Sequence, residues 1–198
     1  LGSIVGTGAL GSILYRNYFL RPASEGGFSW VQKNIVAIMP FENLVKDKET
    51  DWMGGGIADV IAMKMSRIEK VNVIDRAQVE NIWEEFKKGD YVDKESALKI
   101  ANILGADRVI MGVFQRIGDD IRVTARLINV RDGTLISTTD SINKYGNLFV
   151  LEDSIALNII EKLNIKISDA ERAQLKKFIP TNNISAFEFM AKATNAFI

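Results

Sequence analysis

The run Ile121-Arg122-Val123-Thr124-Ala125-Arg126-Leu127-Ile128-Asn129-Val130-Arg131-Asp132-Gly133 decides the fold. Ile121, Val123, Ala125 and Leu127 fall on one side and Arg122, Thr124 and Arg126 on the other, the period-two pattern of a strand with one dry and one wet face. Arg131-Asp132-Gly133 is turn chemistry, and Thr134 to Ile142 runs back as a partner strand. On the other flank, Arg108 to Arg116 contains Val109-Ile110-Met111-Gly112-Val113 and joins the central strand through the hairpin Ile117-Gly118-Asp119-Asp120. These three segments predict an antiparallel meander.

Upstream, short apolar runs alternate with helical patterns, the signature of parallel pairing. Ile35-Val36-Ala37-Ile38-Met39 reads as a buried strand stopped by Pro40, and a polar loop runs from Glu42 to Asp51. Gly54-Gly55-Gly56 opens an amphipathic helix with Ile57, Val60, Ile61, Lys64, Met65 and Ile68 near three-and-four spacing. Val71 to Ile74 is a second strand. Asp75 caps a helix striped by Val79, Ile82, Trp83 and Phe86; Asp93 caps another with Ala97, Ile100, Ala101 and Leu104, ended by Gly105. Downstream lie a long helix from about Asn147 to Leu163, a capping-box pair Ser168 and Glu171, and a final helix from Asn183 carrying Ala186, Phe187, Met190, Ala193 and Phe197. The expectation is an α/β fold: a mixed sheet, parallel in its first half and an antiparallel meander in its second, with helices packed on it and a helical carboxy-terminal extension. Three regions follow: a glycine-rich amino-terminal segment and linker at 1–33, the α/β domain at 34–167, and the extension at 168–198.

Composition narrows the function. Of 198 residues, 47% are hydrophobic and 25% charged, a globular balance. Lysine plus arginine equals aspartate plus glutamate at 25 each, so charge makes no case for nucleic acid. The absence of histidine and cysteine removes imidazole bases, thiol nucleophiles, disulfides and the commonest zinc ligands. No catalytic residue, metal site or cofactor is assigned; Asp47, Glu49 and Asp51 read as a solvated loop in preference to a weak calcium site.

Two glycine motifs need weighing. Gly6-Thr7-Gly8-Ala9-Leu10-Gly11 matches a dinucleotide fingerprint by letter but lacks the preceding strand and the ribose-binding acid that the chemistry requires. Residues 1–20 carry no charge before Arg16, and Arg16, Arg21, Tyr15, Tyr18 and Trp30 suit a bilayer interface; membrane contact through this segment stands beside a poorly ordered extension. The chain starts at a leucine and stops in what reads as mid-helix, so both ends are expected to continue. Gly54-Gly55-Gly56 lacks the Lys-Ser/Thr of a phosphate-binding loop and reads as a close approach of helix to sheet. The candidate partner contacts are Trp52, placed in a loop, with Phe41, Asn43, Phe187 and Phe197.

Several stretches resemble, in order, the CsgG and TolB amino-terminal-like domains, a grouping that includes flagellum-associated relatives. They are Ile35 to Leu44 with its Pro40-Phe41-Glu42-Asn43 core, Met53-Gly54-Gly55-Gly56-Ile57-Ala58-Asp59, Val71-Asn72-Val73-Ile74-Asp75-Arg76, Leu104 to Gly112, and Arg122 to Gly133. The similarity covers about residues 34–165. The segment from Asn183 on resembles the entry helix of a tetratricopeptide array. The resemblance implies a non-catalytic scaffold or transport component of the bacterial envelope, in the periplasm or at the outer membrane, that forms homo-oligomers and contacts other envelope proteins. Its best-known member builds a curli secretion channel, but this chain has no pair of long amphipathic hairpins for a membrane barrel, so an oligomeric scaffold is what carries over. The alternative is a periplasmic ligand-binding sensory module, with a crevice between Phe41-Glu42-Asn43 and Asp75-Arg76 at the carboxyl ends of the strands.

Overall fold

The computed structural model describes residues 34–87, 91–177, 181 and 183–197. The expectations for residues 1–20, membrane contact and the glycine fingerprint, lie outside the described residues.

Strands β1 (Asn34–Ile38), β2 (Glu42–Asn43), β3 (Val71–Val73), β4 (Arg108–Ile117), β5 (Asp120–Asn129) and β6 (Leu135–Lys144) form one sheet. Its order is β3-β1-β4-β5-β6, with the short β2 pairing further along β4. β1 is parallel to both β3 and β4, whereas β4–β5 and β5–β6 are antiparallel. The mixed sheet expected from the sequence is present. The meander closes through Gly118 and Gly133, both at positive φ, where glycine avoids the clash of a side chain.

Among the described residues six α-helices surround the sheet: α1 (Trp52–Met65), α2 (Arg76–Phe86), α3 (Lys94–Ile103), α4 (Leu148–Lys162), α5 (Asp169–Lys177) and α6 (Ile184–Phe197). Caps fall where the sequence places them. The Asp75 carboxylate accepts from Ala77 N–H, that of Asp93 accepts from Ser96 N–H, and Ser168 and Glu171 bond reciprocally. Gly105, at φ +70, ends the turn after α3.

Two apolar clusters lie on opposite faces. The larger joins Val36, Ile38, Ile110, Phe114, Ile121, Val123, Ala125 and Leu127 of the sheet to α1, α4 and α6. The smaller joins Ala37, Met39, Val109 and Ile128 to Val79 and Trp83 of α2 and Ala97, Ile100 and Ala101 of α3. Two sequence readings change here. The region Glu42 to Asp51 is not all loop, because Glu42 and Asn43 pair with Val113 and Phe114 of β4. And α1 is not amphipathic: twelve of its fourteen residues are buried, since sheet and helices cover it from both sides.

Phe41 is the keystone of the larger cluster. Its N–H donates to the Gly54 carbonyl at 3.1 Å. A methyl group at Gly54 would strike the Phe41 carbonyl oxygen, and one at Gly112 would strike the Phe41 ring and the Thr124 carbonyl. Gly54 therefore brings the start of α1 close to the chain between β1 and β2, whereas Gly56 faces Phe187 and Ala191 of α6. Gly54→Ala and Gly112→Ala should each lower stability by about 1–3 kcal/mol or more through overpacking, and Phe41→Ala by about 3–5 kcal/mol through the cavity it leaves. Urea denaturation of the three variants checks this; midpoints unchanged at either glycine would contradict the clamp.

Candidate functional site

The helices cover the two faces unequally. α2 and α3 sit over β1, the beginning of β4 and the end of β5, with α3 reaching the turn at Gly133. Beyond them, among the described residues, the same face of β4, β5 and β6 has no helix upon it. Pairing register places Met111, Val113 and Gln115 beside Arg126, Thr124 and Arg122, and these beside Thr138, Asp140 and Ile142.

This open face is organised. The Arg122 guanidinium donates to both Asp140 oxygens, Nε to Oδ1 at 2.9 Å and Nη2 to Oδ2 at 2.8 Å, and Thr124 Oγ1 donates to Oδ1 at 2.8 Å. These bonds, first that of Arg122, hold the Asp140 carboxyl below the usual carboxylate range. Ile142 stands beside the pair at 64% exposure. Where α3 begins, a cleft of about 190 Å³ opens between the sheet and the chain leading into the helix, lined by Pro40, Glu42, Tyr91, Lys94, Val113 and Arg126. Arginine, tyrosine and exposed aliphatic groups on one surface suit contact with another protein chain.

A second, more polar cleft of about 510 Å³ lies among Asp47, Glu49, Trp52, Arg116, Tyr145, Glu188 and Lys192. The Arg116 guanidinium stacks 3.7 Å from the Tyr145 ring centroid, and burial raises the Tyr145 hydroxyl above its ordinary pKa.

The residues singled out from sequence scatter. Trp52 is not in a loop; it opens α1 and is buried, edge-on to Phe187 at 5.7 Å. Phe187 also meets Phe149 at 5.2 Å, so it fastens α6 to α1 and α4. Phe41 is the buried keystone. Asn43 is the hub of its loop: Nδ2 donates to Asp47 O, Thr50 Oγ1 and Asp51 Oδ1, and Oδ1 accepts from Val45 N–H. The Phe197 side chain lies outside the described residues. Of the residues expected to frame a crevice, Glu42 and Arg76 have different surroundings. Glu42 lines the smaller cleft, while Arg76 is tied to Asp59 at 2.7 Å and to Glu80 at 3.1 Å between α1 and α2.

One buried group stood unremarked in the sequence. Glu152 of α4 is fully buried, and neither carboxylate oxygen has a hydrogen-bond partner. Lys64 of α1, also fully buried, is ion-paired with Asp153. Burial pushes the Glu152 carboxyl well above its ordinary pKa, partly offset by the Lys64 charge. Lys64 already stands in the apolar stripe read from the sequence, and Glu152 falls three residues after Phe149 and three before Ile155 on the stripe of α4, the signal that could have found it. A raised pKa means that the folded state holds the proton more tightly, so this stabilisation is complete below the unfolded pKa of about 4.5 and fades as pH rises through the folded value. Glu152→Gln, permanently neutral, should therefore match the wild type at acid pH and exceed it increasingly above about pH 4.5. Urea midpoints across pH measure the gap; a pH-independent gap would refute it.

A family described as FlgO protein matches residues 26–147, more than half of the chain, and the chain belongs to that family. A curated protein of Rhizobium meliloti (strain 1021), described as "Putative adenylate cyclase 3", is 24% identical over 139 residues. That alignment covers 70% of this chain, and the chain spans only 22% of that relative. Among solved structures, lipoprotein GNA1162 from Neisseria meningitidis is similar at TM-score 0.48 and 19% identity, over 66% of this chain and 99% of that one. TolB from Acinetobacter baumannii is similar at TM-score 0.47 and 14% identity, over 67% of this chain and 28% of that one.

Proposed function

We propose that this FlgO-family chain is a non-catalytic component of the bacterial cell envelope that works by docking to other protein chains, copies of itself included, in an assembly or transport role akin to that of CsgG-like scaffolds. The single observation that carries the reading is the uncovered half of the sheet. A face with Arg122, Asp140 and Thr124 held in fixed hydrogen bonds beside exposed Ile142 is preorganised for contact and presents no convergent nucleophile and base. Family membership supports an envelope location, periplasmic or outer-membrane-associated.

The polar cleft at Arg116 and Tyr145 favours a second reading, a ligand-binding sensory module, since its volume is that of a small-molecule site. The two readings part in experiment. On the first, envelope fractionation finds the protein outside the cytoplasm, and light scattering of the purified protein shows concentration-dependent self-association. On the second, a thermal-shift screen of nucleotides and metabolites finds a stabilising ligand that Arg116→Ala abolishes. A cytoplasmic protein that is strictly monomeric at high concentration would overturn the first reading.

A further inference from the structure

β6 is the last strand of the sheet, ten residues long, and no strand among the described residues pairs with its outer side. Such an edge is a template for another strand, and proteins that must not use it blunt it with lysine and other charges, proline or bulges; the charges of β6, Asp140 and Lys144, are of opposite sign and can answer one another across a pair. β6 contains no proline, and the only irregularity of its ladder is at its start, near Leu127 and Ile128 of the neighbouring strand.

The phase of the free edge follows from one bond. Tyr145 N–H donates to the Asp119 carbonyl at 2.7 Å, just beyond the Asp120–Lys144 pair. In an antiparallel ladder this makes Lys144 a non-bonded partner of Asp120, so the residues that bond to β5 are the odd-numbered ones. Thr138, Asp140, Ile142 and Lys144 then turn their N–H and C=O groups outward. The Lys144 N–H is provisionally satisfied by the Asn143 side chain at 2.8 Å, as an outward donor requires.

We propose that β6 pairs antiparallel with β6 of a second copy, in the register that sets Ile142 against Ile142 of the other chain and Asp140 against its Lys144. This rests on the protein-docking reading above and names its partner and surface. Charge selects the register. Centring on Ile142 matches Asp140 to Lys144 twice by symmetry and buries the exposed isoleucine against its twin. Centring on Asp140 would oppose two carboxylates; centring on Ser141 would set each Asp140 against an isoleucine. The named matches are all between even-numbered residues, whose N–H and C=O groups point outward, so the ladder's hydrogen bonds and these side-chain matches come from the same register. Within one chain both charges lean toward β5, Asp140 on Arg122 and Thr124 and Lys144 on Asp120 at 2.7 Å, and the pairing extends them into a row of alternating charge across the two copies.

The chain has no cysteine, so Ile142→Cys introduces a single thiol. In the proposed register the paired residues lie about 5.5 Å apart at Cα, within disulfide reach. Mild oxidation of the full chain should convert Ile142→Cys to a covalent dimer at least tenfold faster than Thr138→Cys, whose symmetry mate is about 26 Å away along the strand. Ile142→Pro removes an outward donor that β5 does not use, and edge strands tolerate proline. It should weaken self-association at least tenfold in sedimentation while its circular dichroism, and its melting curve in dilute solution where both are monomers, stay those of the wild type. Equal cross-linking rates at 142 and 138, or undiminished association of a folded Ile142→Pro, would overturn the edge pairing yet leave self-association through another surface standing. A wild type that stays monomeric at every concentration would overturn both.

Discussion

The fold depends on the absence of two methyl groups. Phe41 leaves β1 with its carbonyl pressed on Gly54 and its ring laid over Gly112, and neither approach survives a side chain larger than hydrogen. That contact draws the start of α1 onto the sheet and turns the chain into β2, where Glu42 and Asn43 pair with β4. Asn43 then gathers the following loop through its donors to Asp47, Thr50 and Asp51, so Trp52 arrives buried against Phe187 instead of facing solvent. One aromatic residue thus couples three segments far apart in sequence, and burial of such a ring is worth about 1.5–3 kcal/mol before packing is counted.

With α1, α4, α5 and α6 committed to one face, α2 and α3 are the described helices left for the other, and they reach no further than β1, the start of β4 and the end of β5 with its turn. The meander keeps a bare surface as a consequence of topology. Its chemistry is balanced: the outward side chains of β5 are cationic and polar, and Asp140 answers Arg122 across the ladder. The buried side shows the opposite tension, with Lys64 satisfied by Asp153 and Glu152 left without a hydrogen bond in an apolar interface. Such a group costs stability when ionised and is better tolerated with its proton on.

Much of this was legible in the chain, for physical reasons that differ by element. The β5 alternation predicts one wet face because a half-buried strand cannot do otherwise, and Arg122, Thr124 and Arg126 are indeed on it. Asp75, Asp93 and the Ser168–Glu171 pair mark helix starts because orphan amides need acceptors. A two-residue strand such as Glu42–Asn43 has no periodicity to read, and it exists only because β4 extends past β1. The start of α1 is hidden by glycines, whose low helix propensity is outweighed here by tertiary contact, which also explains why Trp52 reads as loop. Of the candidate site, the wet strand was visible, but the Asp140 pairing, the cleft at Tyr91 and the free edge of β6 require strand order, which no local pattern encodes.

The proposed pairing of β6 requires that the meander end in an edge kept available for another chain. Amide hydrogen exchange resolved to single residues, in dilute and in concentrated protein, tests it most directly. The outward amides of Asp140 and Ile142 should exchange fast when dilute and slow at least tenfold when concentrated, while those of Ser141 and Asn143, bonded to β5, stay protected throughout. Odd and even amides of β6 protected alike at every dilution, or even-numbered amides that never slow, would contradict it.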